Sequence, residues 1–419
     1  VERETREEVS IKNRRESDIE ISVDNTEFSR YSFSMIKRKS ETASILKLLR
    51  QFPVVGIVGA RQVGKTTIAL EIGRSFKGPV HYFDLENPED VARLSDPMLA
   101  LKSLQGLVVI DEIQRKPSLY PMLRVLADDA KIPRRFLILG SASPDLLKVS
   151  SESLAGRIAY HELGEFYIEE IGIQSMDRLW LRGGFPDSYL AKSLAQSELW
   201  RRNFIKTFLE RDLPQLGITV RAETLRRFWH MIAHYHGQRW NSSEFARAFG
   251  LADTTVRHYL DILTGAFVIR QLPAWHENIS KRQVKAPKIY VADTGILHTL
   301  LGIKNEIDLE RHPKIGASWE GFIVSQLIRI LKVNREDCFS WATHAGSELD
   351  LLISRGRFRY GFEIKRTSAP SMTPSMYHAL KDLKLSRLCI VHCGEKTFDL
   401  AKKVRAVSVH DLITLKPLA

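Results

Sequence analysis

Apolar residues are sparse over positions 1–34, where Glu, Arg and Ser dominate, and frequent afterwards. The first segment cannot bury a core of its own and reads as a disordered extension. Met35 follows it, so two readings stand: a true tail, or residues upstream of the natural start. Over 41–51, Ile45, Leu46, Leu48 and Leu49 have the spacing of one helix face. Short apolar runs then alternate with helical stretches. Residues 54–58, 80–85, 107–110 and 136–139 read as buried strands, with helices after 65, after 97 and over 119–128. Residues 191–212 predict a long helix with Trp200, Phe204 and Phe208 as a core stripe, and 222–236 another helix. Residues 241–250 and 253–263 read as a helix-turn-helix, with Asn241, Ser242 or Ser243 capping the first helix and Asp253 the second. Val256, Leu260 and Leu263 would face inward, and Thr254, Thr255, Arg257 and His258 outward. Strands 267–272 and 288–292 would form a wing, with Lys281, Arg282 and Lys285 between them as phosphate contacts. Beyond 315 come a helix to 331 and strands at 338–342, 348–353, 359–365, 388–391 and 404–409, ahead of a final helix.

The chemistry sits at the ends of the first strands. Gly59-Ala60-Arg61-Gln62-Val63-Gly64-Lys65-Thr66, then Thr67, fits G-x-x-x-x-G-K-[ST] between a strand and a helix. Its backbone N–H groups and the helix N-terminus can cradle a polyphosphate. Lys65 would reach the β- and γ-phosphates of ATP, and the Thr66 hydroxyl would ligate Mg²⁺. The third strand ends on Asp111-Glu112, where Asp111 would hold Mg²⁺ through water and Glu112 would activate the attacking water. After the fourth strand, Ser141 and Ser143 stand either as γ-phosphate sensors or as a plain turn. Arg157, in Ser153-Leu154-Ala155-Gly156-Arg157, reads as a catalytic arginine acting in its own subunit or a neighbour's, or as a surface residue.

Length and charge widen the picture. A chain of 419 residues implies two or three domains. The net charge is +12; positions 1–34 contribute nine acidic and six basic residues, or −3, which leaves about +15 for the rest. That excess admits DNA as a partner. No run of about eighteen uncharged apolar residues and no secretory start are visible, so a cytoplasmic protein without membrane contact is expected. Cys338, Cys389 and Cys393 read as reduced thiols, not as a zinc site.

The stretches GARQVGKTT, LVVIDEIQ, LILGSAS, SLAGR, LRGGFPDSYL, FLERDL, HYHGQRWNSSEFARAFG, VKAPKIYVADTGIL and ELDLLIS…FEIK resemble a prokaryotic family of AAA-type P-loop ATPases. Its members carry a C-terminal domain of unknown function. The resemblance implies ATP binding and hydrolysis, and a helical lid near residues 173–225. The C-terminal third resembles the PD-(D/E)XK nucleases in the order of its residues: Glu320 on a helix, Asp350 on a strand, then Glu363-x-Lys365. Glu363 and Lys365 share a sheet face, because strand side chains alternate with period two. In that reading Asp350, Glu363 and Glu320 ligate Mg²⁺, and Lys365 positions the attacking water, with Thr367 and Ser368 lining the site. A domain that binds without cutting is the alternative, as is a helix-turn-helix that meets protein instead of DNA. The expected organisation is an extension (1–34), an α/β AAA-like ATPase domain (35–172), a helical lid (173–225), a winged helix (226–300) and a PD-(D/E)XK-like α/β domain (301–419). A homo-oligomer or a regulatory protein partner completes the expectation.

Overall fold

Successive strand side chains point to opposite faces of a sheet, and burial along the first strands follows that rule. The computed structural model describes residues 36–129, 131–143, 154–276 and 284–415. The expectations for residues 1–34, Met35, Ser153, Lys281 and Arg282 lie outside the described residues. Arg38–Ala419 form one unit, to which all the elements below belong. Helix α1 (Lys39–Gln51) leads into β1 (Val54–Val58), and α2 (Lys65–Ser75) follows the glycine loop. Next come β2 (Val80–Asp84), β3 (Gly106–Asp111), α3 (Leu119–Ala127), β4 (Arg134–Gly140) and β5 (Ile158–Glu162). The five strands lie in the order β2-β3-β4-β1-β5, and every pair is parallel. Leu107, Val109, Leu137 and Leu139 enter one core with α1 and α2, whereas Val108, Ile110, Phe136 and Ile138 enter a second core with α3. β5 escapes a reading of the sequence because its residues are half-buried or exposed at the sheet edge and carry no apolar run.

The first core continues without a break into the middle of the chain. Helix α4 (Leu194–Thr207) ends in a π-helical turn, Phe208–Asp212. Phe204 stacks on Phe208 at 5.9 Å, and both are buried with α5 (Ala222–His234) around Trp229. β6 (Gln238–Arg239) precedes α6 (Ser242–Phe249) and α7 (Asp253–Gly265). The expected caps need correction. Asn241 precedes α6 without a side-chain bond, and Ala252, not Asp253, is the residue before α7. Asp253 instead accepts the hydroxyls of Ser242 and Ser243, both at 3.0 Å, and so ties the two helices together. Val256, Leu260 and Leu263 are buried, while Thr254, Arg257 and His258 are exposed and Thr255 half-buried. β7 (Ile269–Leu272) and β8 (Lys288–Val291) then pair antiparallel, and β6 adds to the far side of β8, which becomes the central strand.

The C-terminal part begins with α8 (Ile315–Ile330), buried on nearly every side. It continues through β9 (Cys338–Ala342), β10 (Glu348–Arg355), β11 (Phe358–Lys365), α9 (Pro374–Asp382), β12 (Arg387–His392), β13 (Phe398–Ala401) and β14 (Val404–Ser408). These strands make a sheet in the order β13-β14-β12-β11-β10-β9. The β9–β10–β11 meander is antiparallel, and β12 pairs parallel to β11. The expected last helix is a 3₁₀ segment, Val409–Thr414. Cys338, Cys389 and Cys393 are free thiols. Among the described residues, no helix is long and apolar enough to cross a membrane.

Candidate nucleotide site and C-terminal acidic centre

The parallel register aligns the tips of β1, β3 and β4, and ligands of such sheets bind at the carboxyl ends of the strands. The glycine loop occupies that edge. A side chain on Gly59 would meet the Leu163 carbonyl at 2.1 Å, and Gly64 turns into α2 with a left-handed φ of 92°. Both positions therefore require glycine. Lys65 is buried at the head of α2 and donates to the Gly59 and Ala60 carbonyls at 3.1 and 2.9 Å. Burial pulls its ammonium down to about 8, and Glu112 and Asp111 oppose the fall. Thr66 Oγ1 donates to Asp111 Oδ2 at 2.7 Å. The hydroxyl and carboxylate expected around Mg²⁺ thus already converge, and they fit that ion.

Glu112 adopts a left-handed φ of 53°, an uncommon conformation for a residue with a side chain. Its carboxylate accepts from Ser141 Oγ at 3.1 Å and from the Gln114 amide, and Arg61 lies 3.7 Å away. Ser141 therefore joins the group, whereas the Ser143 amide turns away to the Gly265 carbonyl of α7. Ala60, Gln62, Val63 and Thr67 lie in the same loop and first turn. Two contacts were not foreseen. Tyr82, at the sheet edge on β2, donates to Asp111 Oδ2 at 2.7 Å, and burial together with that carboxylate pushes its hydroxyl far up. Arg61 leaves the loop to bind Asp212 of the π-helical turn at 2.9 Å and Gln215 at 3.0 Å. Arg157 does not join them. Its carbonyl accepts from Val54 N at the start of β1, so it lies one strand length, about 16 Å, from the loop. Its guanidinium pairs with Asp128 at 2.6 Å instead. The reading of Arg157 as a catalytic group within its own subunit is corrected accordingly.

The C-terminal acids also converge, but not around an open metal position. Lys288 starts the central strand β8, and its side chain is 6% exposed. Its Nζ lies 2.6 Å from Glu320 Oε1 and 3.0 Å from Asp350 Oδ1. Tyr290, on the same face of β8, donates to Glu320 Oε1 at 2.6 Å. Asp350 Oδ2 accepts from the Ile364 amide at 2.9 Å. Glu363 Oε1 pairs with Lys365 at 2.7 Å, and its Oε2 is buried with no partner. Burial opposes charge on Lys288, but Asp350 and Glu320 outweigh it, so the ammonium is held well above its usual range. Burial and the charge of Asp350 push the Glu320 and Glu363 carboxyls up. Among the described residues, no group of three or more His, Cys, Asp or Glu side chains is arranged to hold a metal ion. A divalent ion needs several free oxygens, and here Lys288 occupies one oxygen of Glu320 and one of Asp350, the Ile364 amide the other of Asp350, and Lys365 one of Glu363. The expected ligand set Glu320, Asp350 and Glu363 therefore does not fit Mg²⁺ as the chain arranges it. The signal for this was a lysine opening a buried apolar strand, Lys288-Ile289-Tyr290-Val291, since lysine is almost never buried without a partner.

Three family models divide the chain: an AAA domain over residues 51–172, a domain of unknown function (DUF8612) over 173–307, and another (DUF4143) over 315–412. Among solved structures, the Walker-type ATPase paby2304 of Pyrococcus abyssi is similar at 15% identity and a TM-score of 0.44, covering 64% of this chain and 96% of that one. A RuvB variant of Thermotoga maritima is similar at 18% identity and a TM-score of 0.29, covering 57% and 90%. Two uncharacterized proteins, Rv2008c of Mycobacterium tuberculosis and Mb2031c of Mycobacterium bovis, are each 51% identical over 386 residues, which is 92% of this chain and 87% of theirs. The chain belongs to the family of these mycobacterial proteins, with a P-loop ATPase domain of the AAA type followed by two domains of unknown function.

Proposed function

We propose that the protein is an ATPase that couples its nucleotide state to DNA through the middle helices. The convergence of Lys65, Thr66, Asp111, Glu112 and Ser141 at three adjacent strand tips carries this reading. On binding ATP, Lys65 would exchange two loop carbonyls for phosphate oxygens. Mg²⁺ held by Thr66 and Asp111 would neutralise the charge of the phosphates. Glu112 would orient and deprotonate the attacking water, with Ser141 and Gln114 holding its carboxylate in place. Arg61 would report the state of the loop to the π-helical turn, a type of irregularity often found at functional sites.

The helix pair α6–α7 with the β6–β8–β7 sheet is read as a winged helix. Arg247, Thr254, Arg257 and His258 are exposed there, on a chain with a basic excess. The order α8-β9-β10-β11-α9-β12 is read as a PD-(D/E)XK-like domain. Cleavage is not part of the proposal, because the acids of that domain do not fit a metal. The lysine among them favours the alternative, an ATP-driven switch whose nuclease-like domain binds instead of cutting. ATP turnover should be measured with and without duplex DNA, beside Lys65→Ala. Turnover that depends on Lys65 and shifts with DNA is expected; turnover undiminished in Lys65→Ala would overturn the proposal.

A further inference from the structure

We propose that Lys288 is the resident cation of the C-terminal acidic centre: its ammonium sits between Glu320 and Asp350 and shuts divalent metal out.

Four observations carry it. The ammonium contacts one oxygen of each of two acids from different elements, Glu320 on α8 and Asp350 on β10, as a bridging metal would. Each of those oxygens faces a donor, and the second oxygen of Asp350 is taken by the Ile364 amide. The lysine is anchored. Lys288 pairs with Arg239 of β6 and Leu272 of β7, so its backbone is fixed on both sides. Tyr290, two residues on, holds Glu320 from the same strand face and packs edge-on against the buried His236 ring at 5.3 Å. Finally, Lys288 belongs to the middle segment and not to the domain that supplies the acids. The cation that bridges the two acids is thus also the bond that fastens β8 to α8 and β10. A buried charge persists where it is paired and hydrogen-bonded, and here the acids and the lysine satisfy one another. The third acid, Glu363, is neutralised separately by Lys365.

Mn²⁺ binding to the full chain without nucleotide tests this, followed by loss of the free-ion paramagnetic signal. All proteins carry Asp111→Asn, to silence the nucleotide site. The parent should bind no Mn²⁺ that Asp350→Asn removes. Lys288→Met should acquire one Asp350-dependent Mn²⁺ site, and Lys288→Met/Asp350→Asn should lose it again. Far-ultraviolet circular dichroism establishes that each variant is folded, and Lys288→Gln replaces Lys288→Met if the latter is not. Two outcomes overturn the proposal: Asp350-dependent Mn²⁺ binding by the parent, or a folded Lys288 variant that acquires no site. The parent arm decides the question even if every Lys288 variant unfolds.

Discussion

Arg61→Ala is the sharpest probe of how the nucleotide loop is joined to the rest of the chain. Arg61 is the third residue of the glycine loop, and its side chain is 12% exposed. It reaches Asp212, whose side chain is 3% exposed, at 2.9 Å. Removing one partner of a fully buried ion pair costs about 3–5 kcal/mol, because the other charge is left uncompensated. Asp212 would not be wholly abandoned, since Arg211 Nε also lies 3.1 Å from the same oxygen, with its own side chain 57% exposed. The loss is therefore closer to that of one hydrogen bond to a charged group, about 1.5–3 kcal/mol. Urea unfolding of the parent, Arg61→Ala, Asp212→Asn and the double variant measures it. A coupling within about 0.5–3 kcal/mol is expected for groups in direct contact. The two single effects should therefore sum to more than the double variant loses. Additivity to within about 0.3–0.5 kcal/mol would refute the reasoning, and with it the role of Arg61 as the link between loop and helices.

Glu112→Gln should keep nucleotide affinity while lowering the maximal rate of ATP turnover by about 10²–10⁴-fold, the usual contribution of a general base; steady-state kinetics would show an unchanged rate if Glu112 merely caps a turn. His298 is buried, its Nδ1–H donates to the Leu181 carbonyl, its Nε2 accepts from the Ser318 hydroxyl, and burial pulls it down to about 4. Its folded value lies below its unfolded value, so the stability present above about pH 6.5 is lost as pH falls, by about 2 kcal/mol at pH 5 from this residue; His298→Asn should flatten that part of the urea-midpoint profile. Arg247→Ala, on the exposed face of α6, should weaken duplex binding about equally across sequences and reduce the slope against log salt by about 1; an unchanged slope in fluorescence anisotropy would remove this residue from the interface.

The candidate nucleotide site was legible because its residues are local. A loop, a strand tip and a helix start lie within a few positions of Gly59–Thr66, and the apolar runs that place Asp111 and Ser141 beside them are continuous. Tyr82 and Arg61 were missed in their contacts because each depends on a neighbouring element. Tyr82 reaches Asp111 only because β2 and β3 align Asp84 with Asp111, and Asp212 meets Arg61 only because α4 packs on the first core. Arg157 was misplaced for the same reason. A glycine turn before an arginine says nothing of which end of the sheet it occupies, and β5 was invisible as a half-buried edge strand.

The acidic centre shows the same limit in its strongest form. Glu320, Asp350, Glu363 and Lys365 have the order and the sheet-face alternation of a metal site, and the fold brings them together. What that order omits is a charge from more than thirty positions upstream, outside the segment in which the acids lie. The charge count decides between the two arrangements. Two unit charges 4 Å apart at an effective dielectric constant near 20 interact by about 4 kcal/mol, and a divalent ion beside an ammonium doubles the repulsion to on the order of 8 kcal/mol. The centre therefore holds a lysine or a divalent ion, not both at that distance. Because Lys288 is fixed in the middle of a three-stranded sheet, exchanging one for the other means pulling its side chain away from both acids while β8 stays paired. The acids that would make the domain a metal centre are thereby committed to fastening it to the segment that carries the helix pair.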